Sequence, residues 1–101
     1  MRINLLDETL EVFRDFGITP DQVLYVTDDV FWCTWDEFAI AANRKYDNGY
    51  GYQEVWPSLK IVGDGWWFER REYDGSEWWE FYTPPYKPNC KGKVSILPPE
   101  E

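Results

Sequence analysis

An α+β fold is predicted, with a small, mostly antiparallel sheet of three to five strands packed against two helices. Three observations point there. Two aromatic-rich runs, Trp66 to Tyr73 and Glu77 to Thr83, flank Asp74-Gly75, and Asp-Gly between β-forming runs is a strong hairpin signal because the turn needs φ > 0. Two other segments carry helix-start signals and apolar residues at spacings of three and four. At 101 residues the chain is read as one domain, 1–101, with residues 84–101 a proline-rich extended tail.

Taken in order, Leu5 to Phe16 reads as the first helix, with Asp7 as N-cap and Gly17 as the residue that ends it. Leu6, Leu10, Phe13 and Phe16 form its apolar stripe. Thr19-Pro20-Asp21-Gln22 has the makings of a capped short turn. A first strand follows over Val23 to Thr27, ended by Asp28-Asp29. Thr34-Trp35-Asp36-Glu37 is a capping-box pattern and opens the second helix. Its face is Trp35, Phe38, Ala42 and Tyr46, basic residues sit at its C-terminal end, and Asn48-Gly49 stops it.

Gly49 to Tyr52 reads as a loop. Leu59 to Val62 is a second strand, joined by Gly63-Asp64-Gly65 to Trp66–Tyr73. Pro84-Pro85-Tyr86-Lys87-Pro88 breaks the sheet as a polyproline II stretch, and Val94-Ser95-Ile96 is a candidate edge strand.

Composition narrows the chemistry. Aromatic residues make up 20% and the formal net charge is −9, so a phosphate backbone would be repelled and no direct nucleic-acid binding is expected. The first forty residues hold nine acids against Arg2 and Arg14. No apolar run approaches the roughly 20 residues of a membrane span, so no membrane partner is expected. The start lacks a signal-peptide pattern, and Cys33 and Cys90 make no disulfide framework. A cytoplasmic chain with free thiols is the expectation.

The sequence contains no histidine, which removes the commonest general base and metal ligand. Neither cysteine has a Cys-x-x-Cys partner, the Asp-Gly pairs look like turns, and Gly63-Asp64-Gly65 lacks dinucleotide-site spacing. No catalytic residue, metal or cofactor is expected. Glu69, Glu72, Glu77 and Glu80 lie beside tryptophans, but Arg70 and Arg71 between them point to cross-strand ion pairing.

Recognition is what remains. A two-residue Asp74-Gly75 turn sets Arg70 opposite Trp79 and Arg71 opposite Trp78. One face then holds Trp66, Phe68, Arg70, Trp79 and Phe81, which the helices would cover. The other holds Trp67, Arg71, Tyr73, Trp78 and Tyr82, the candidate binding residues, with a composition enriched in interface hot spots. The competing expectation is that the proline segment simply covers this second face.

The strings Ile61-Val62-Gly63-Asp64-Gly65-Trp66-Trp67-Phe68-Glu69-Arg70 and Glu72 to Phe81 resemble small acidic proteins encoded by phages and prophages of Gram-positive bacteria. Thr34 to Phe38 and Tyr46 to Gly51 fit the same pattern, so the resemblance spans about residues 20–85. It carries no catalytic residue over. It implies an accessory protein that acts by binding a host protein.

The leading expectation is therefore a non-enzymatic protein–protein interaction module, a phage accessory protein that binds or inhibits a host or phage protein. One version mimics nucleic-acid charge toward a nucleic-acid-binding enzyme, through Asp7, Glu11, Asp15, Asp28, Asp29 and Asp36. The alternatives are a carbohydrate-binding or glycan-modifying domain using exposed tryptophans, and a structural homodimer.

Overall fold

A computed structural model describes residues 2–47, 54–85 and Leu97. Among these residues the chain is α+β. Strand β1 (Arg2–Asn4) leads into helix α1 (Leu5–Asp15), and a short 3-10 turn (Pro20–Gln22) precedes β2 (Val23–Thr27). Strand β3 (Trp32–Cys33), helix α2 (Trp35–Ala42) and β4 (Lys45–Asp47) follow, then β5 (Lys60–Gly63), β6 (Trp66–Tyr73) and β7 (Ser76–Tyr82). Five strands form one antiparallel sheet in the order β3-β2-β5-β6-β7, and β1 pairs with β4 in a separate two-stranded ribbon.

The helix boundaries follow from their caps. The Asn4 side chain accepts from the Asp7 amide at 3.0 Å, so α1 is capped by Asn4 and Asp7 sits inside its first turn. At the other end the Gly17 amide donates to the Arg14 carbonyl at 3.2 Å and the Ile18 amide to the Phe13 carbonyl at 2.9 Å. That is a Schellman ending, with Gly17 at φ 69° as expected for its left-handed residue. Starting at Leu5 rotates the buried stripe onto Leu5, Thr9 and Phe13, leaving Leu6 and Leu10 half-buried.

Helix α2 opens as expected. The Glu37 carboxylate accepts from the Thr34 amide at 2.9 Å, and the Thr34 hydroxyl accepts from the Glu37 amide at 3.2 Å. It ends earlier than its apolar spacing suggests, at Ala42. Tyr46 belongs to β4, pairs with Ile3 and is 4% exposed. The expected Asn48-Gly49 stop, the Gly49–Tyr52 loop, Cys90, Tyr86 to Pro88 and the Val94–Ile96 strand lie outside the described residues.

The β6–β7 turn is the two-residue type its Asp-Gly predicts: Asp74 has φ 53° and Gly75 φ 88°, and Tyr73 pairs with Ser76. The register follows, with Arg70 opposite Trp79 and Arg71 opposite Trp78. The β5–β6 turn closes on Gly63 opposite Trp66. A Cβ on Gly63 would lie 2.0 Å from the Trp66 ring, so glycine is what lets the indole fold back across the turn.

Both helices pack on one face. Phe13 stacks on Phe68 at 5.5 Å between ring centroids, Phe16 on Phe81 at 4.3 Å, and Phe38 meets Trp79 edge-on at 6.4 Å. Ile61, Phe68 and Val26 are almost wholly buried there. The opposite face of the sheet carries neither helix.

Candidate functional site

Two features of the described structure have the makings of a site, and one polar cluster is structural. That cluster is on the helix-covered face. Arg70 is 2% exposed, with its guanidinium 4.6 Å from the Trp79 ring centroid and 5.6 Å from that of Tyr46. It donates to Glu77 at 2.9 Å, to the Tyr46 hydroxyl at 3.0 Å and to Glu8 at 3.3 Å. Tyr46 in turn donates to Glu8.

Burial lowers the Arg70 pKa, but Glu8, Tyr46 and Glu77 more than offset it and the net direction is up. Burial and then the bond to Glu8 push the Tyr46 hydroxyl well above its ordinary range. Both groups therefore keep their protons at neutral pH, which suits a fixed strut rather than acid–base work. Glu77 also accepts from the Glu54 and Val55 amides at 2.6 and 3.2 Å, tying that loop to β7.

The first feature is the helix-free face. Strand pairing lays Tyr25, Val62, Trp67 and Tyr82 in one row across four strands, with Thr27, Lys60, Glu69 and Glu80 in the next. Trp32 extends that second row through its pairing with Thr27. Arg71 opposite Trp78, and Tyr73 opposite Ser76, continue the face toward the hairpin tip. All five residues predicted for binding, Trp67, Arg71, Tyr73, Trp78 and Tyr82, thus lie on it.

Their geometry is fixed by local pairing. Trp67 stacks on Tyr82 at 5.6 Å and 13°. The Arg71 guanidinium lies 5.1 Å from the Tyr82 ring centroid, donates to its hydroxyl, and pairs with Glu69 at 3.2 Å. The Trp67 indole donates to Glu69 at 2.6 Å and the Trp78 indole to Glu80 at 2.9 Å. Glu69 and Glu80 are themselves cross-strand neighbours. Like charges placed opposite each other repel, and these indole and guanidinium donors compensate for it. Tyr73 is 77% exposed and Trp78 38%, whereas Trp67 and Tyr82 are half-buried against each other.

The second feature was not picked out in the sequence. Between β2 and β3 the chain exposes Val30 at 78%, Phe31 at 73% and Trp32 at 71%, beside Leu24 at 62%. Leu24 is the extra residue of a bulge, since Val23 pairs with Gly63 and Tyr25 with Val62. The bulge turns Leu24 out of the core although it has the same parity as buried Val26. These side chains, with Tyr25, Thr27 and Asp29, line a cleft of about 460 Å³.

The tip is held rigidly by polar groups. Asp28 accepts from the Val30 and Phe31 amides at 2.9 and 2.7 Å, and Thr27 donates to the Phe31 carbonyl at 2.6 Å. Asp29 adopts φ 76° and is gripped by Lys60 at 2.9 Å from both carboxylate oxygens. The amides of Phe31 and Val30 hold the Asp28 carboxyl below its ordinary value.

Comparison of the chain with protein-family models, with curated proteins and with solved structures found no match. The site therefore has to be judged on its own chemistry. Among the described residues no group of three or more metal-ligating side chains comes together, and Cys33 is a free thiol whose pKa burial, then Glu37, pushes up. No helix there is long and apolar enough to cross a membrane. Asp28 and Asp29, two of the six carboxylates of the charge-mimicry reading, are already engaged, Asp28 by hairpin amides and Asp29 by Lys60 of β5.

Proposed function

We propose that the chain is a non-enzymatic protein-binding module whose partner lies against the helix-free face of the sheet. The observation that carries this is the placement of Trp67, Arg71, Tyr73, Trp78 and Tyr82 on one face, all but Tyr73 held in fixed orientation by Glu69, Glu80 and each other. Aromatic side chains with an interleaved arginine are the composition of binding hot spots, and a pre-set geometry lowers the ordering cost of association. The phage or prophage resemblance makes a host protein the leading partner, and the net charge of −9 would steer toward a basic one.

The test compares capture from a Gram-positive host lysate by wild type, Trp78→Ser and Tyr73→Ser. Partial exposure of both side chains lets the variants keep the core, which thermal unfolding checks first. A partner recovered in stoichiometric amount by wild type and lost with both variants supports the reading. Undiminished capture by both variants, or none by wild type, removes it.

A second reading has its own support. Trp67 beside Glu69 and Trp78 beside Glu80 are indole–carboxylate pairs of a kind that stacks on and hydrogen-bonds a sugar. The Trp66 and Trp79 pair does not serve, because Trp79 is 6% exposed and its indole donates to Thr9 at 2.9 Å. Retention on immobilised glycans that fails with Trp78→Ser would favour this reading over a protein partner.

A further inference from the structure

We propose that the β2–β3 hairpin, at the β3 edge of the helix-free face, is a second docking surface, and that it takes a basic, extended polypeptide segment of a partner protein. This rests on the reading of the chain as a protein-binding module, and it adds a place and a partner chemistry. The apolar half of the argument is the cleft lined by Leu24, Tyr25, Val30, Phe31 and Trp32. Hydrophobic side chains this exposed and this adjacent form a patch that water penalises, unlike single exposed residues. Thr27, Asp28 and Lys60 lock the backbone that carries them, so the patch is presented ready-made.

The edge of the sheet favours an extended occupant. Strand β3 pairs only with Val26 and Thr27, so beyond it Val23, Leu24 and Tyr25 have a sheet neighbour on one side alone among the described residues. A strand laid there would continue the sheet while its side chains met the hairpin.

Charge specifies the occupant's sign. A second cleft, of about 490 Å³, shares Leu24 and is lined by Pro20, Asp21, Val23, Thr34, Trp35 and Asp36. Neither cleft has a lysine or arginine in its lining, and Asp21 and Asp36 enter no ion pair among the described residues. Asp29 is already matched by Lys60. Two uncompensated carboxylates beside an apolar cleft complement Lys or Arg flanking apolar side chains. The same field disfavours a second copy of this chain, an anionic lipid surface and a nucleic acid, since each meets −9 with like charge.

The experiment pans a random-peptide library against the full chain at low salt, then titrates enriched peptides by fluorescence anisotropy. The expected winners combine Lys or Arg with aliphatic or aromatic residues. Phe31→Ser and Trp32→Ser should each weaken them by about tenfold or more, as removal of an anchor does. Asp21→Asn with Asp36→Asn should weaken them less and flatten their salt dependence. Thermal unfolding checks the hairpin variants; if these unfold, the Asn pair and its salt dependence decide.

Enrichment of acidic or uncharged peptides, or of none, overturns the proposal. So does sedimentation showing a wild-type dimer that Phe31→Ser abolishes, or binding to lipid vesicles that Trp32→Ser abolishes. Loss of affinity with Trp78→Ser but not with Phe31→Ser overturns the hairpin site alone and leaves the helix-free face as the binding surface. Host capture that fails while basic peptides still bind the hairpin has the opposite meaning.

Discussion

Arg70 occupies the place of a core hydrophobe, sealed between the Tyr46 and Trp79 rings, with its Nε atom unpartnered among the described residues. Its Nη atoms reach two carboxylates, Glu8 from α1 and Glu77 from β7. Removing one member of such a cluster costs more than the cluster contributes, because the remaining buried charges lose their counter-charge. Arg70→Met should therefore lower unfolding free energy by about 3–5 kcal/mol. Adding Glu77→Gln should recover part of that loss, since one stranded charge is gone while the Val55 amide keeps an acceptor. Urea denaturation of the two variants reads both effects. A loss under about 1 kcal/mol for Arg70→Met would mean that water reaches the carboxylates and the site is not sealed.

At the scale of elements, the β2–β3 tip and the α2 cap share a dependence on ionised carboxylates. The Asp28 pKa lies below its ordinary value of 3.8, chiefly through the Phe31 amide, and that of Glu37 below 4.5, chiefly through the Thr34 amide. A depressed carboxylate pKa means the folded state favours the ionised form. The contribution is complete above the unfolded values and disappears as pH falls through the folded ones. Exchange protection of the Val30, Phe31 and Thr34 amides should thus fall between about pH 5 and about pH 3, ahead of the β6 amides, after correction for intrinsic exchange rates. Equal loss across the sheet would show that acid acts on the whole fold instead.

The capping box, the 3-10 turn, the Asp-Gly turn and the faces of β6 and β7 were legible in the sequence because each has a short-range cause. Strands β1, β3 and β4 were not, since two or three residues carry no periodicity, and the β1–β4 pairing joins residues far apart in sequence and leaves no local mark. Tyr46 fell on the helical stripe of α2, yet Asn43 leaves the helix and the ring is recruited by Glu8 and Arg70. The exposed tip did leave a trace. Asp28-Asp29 ends a strand and Thr34 caps a helix, so Val30 to Cys33 had too little room to do more than half-bury its inward member, Cys33.

For the whole molecule, the question is whether −9 on 101 residues works mainly between molecules or within this one. Among the described residues the surface pairs Lys60–Asp29 and Arg71–Glu69 are partly exposed and contribute little, while Asp7, Glu11 and Asp15 on α1 and Asp21 and Asp36 around the β2–β3 edge enter no ion pair and repel one another. Salt screens both, but repulsion among many acids has more to lose than these exposed attractive pairs. The thermal midpoint should therefore rise as ionic strength goes from about 0.01 M to about 0.15 M, where the screening length falls from about 30 Å to about 8 Å. Chloride and a weakly interacting anion should give the same rise, which separates screening from specific ion binding. A falling midpoint would assign the balance to the ion pairs. A basic partner would relieve the same repulsion from outside, so its binding should raise the midpoint most at low salt, and by less as screening takes over the task.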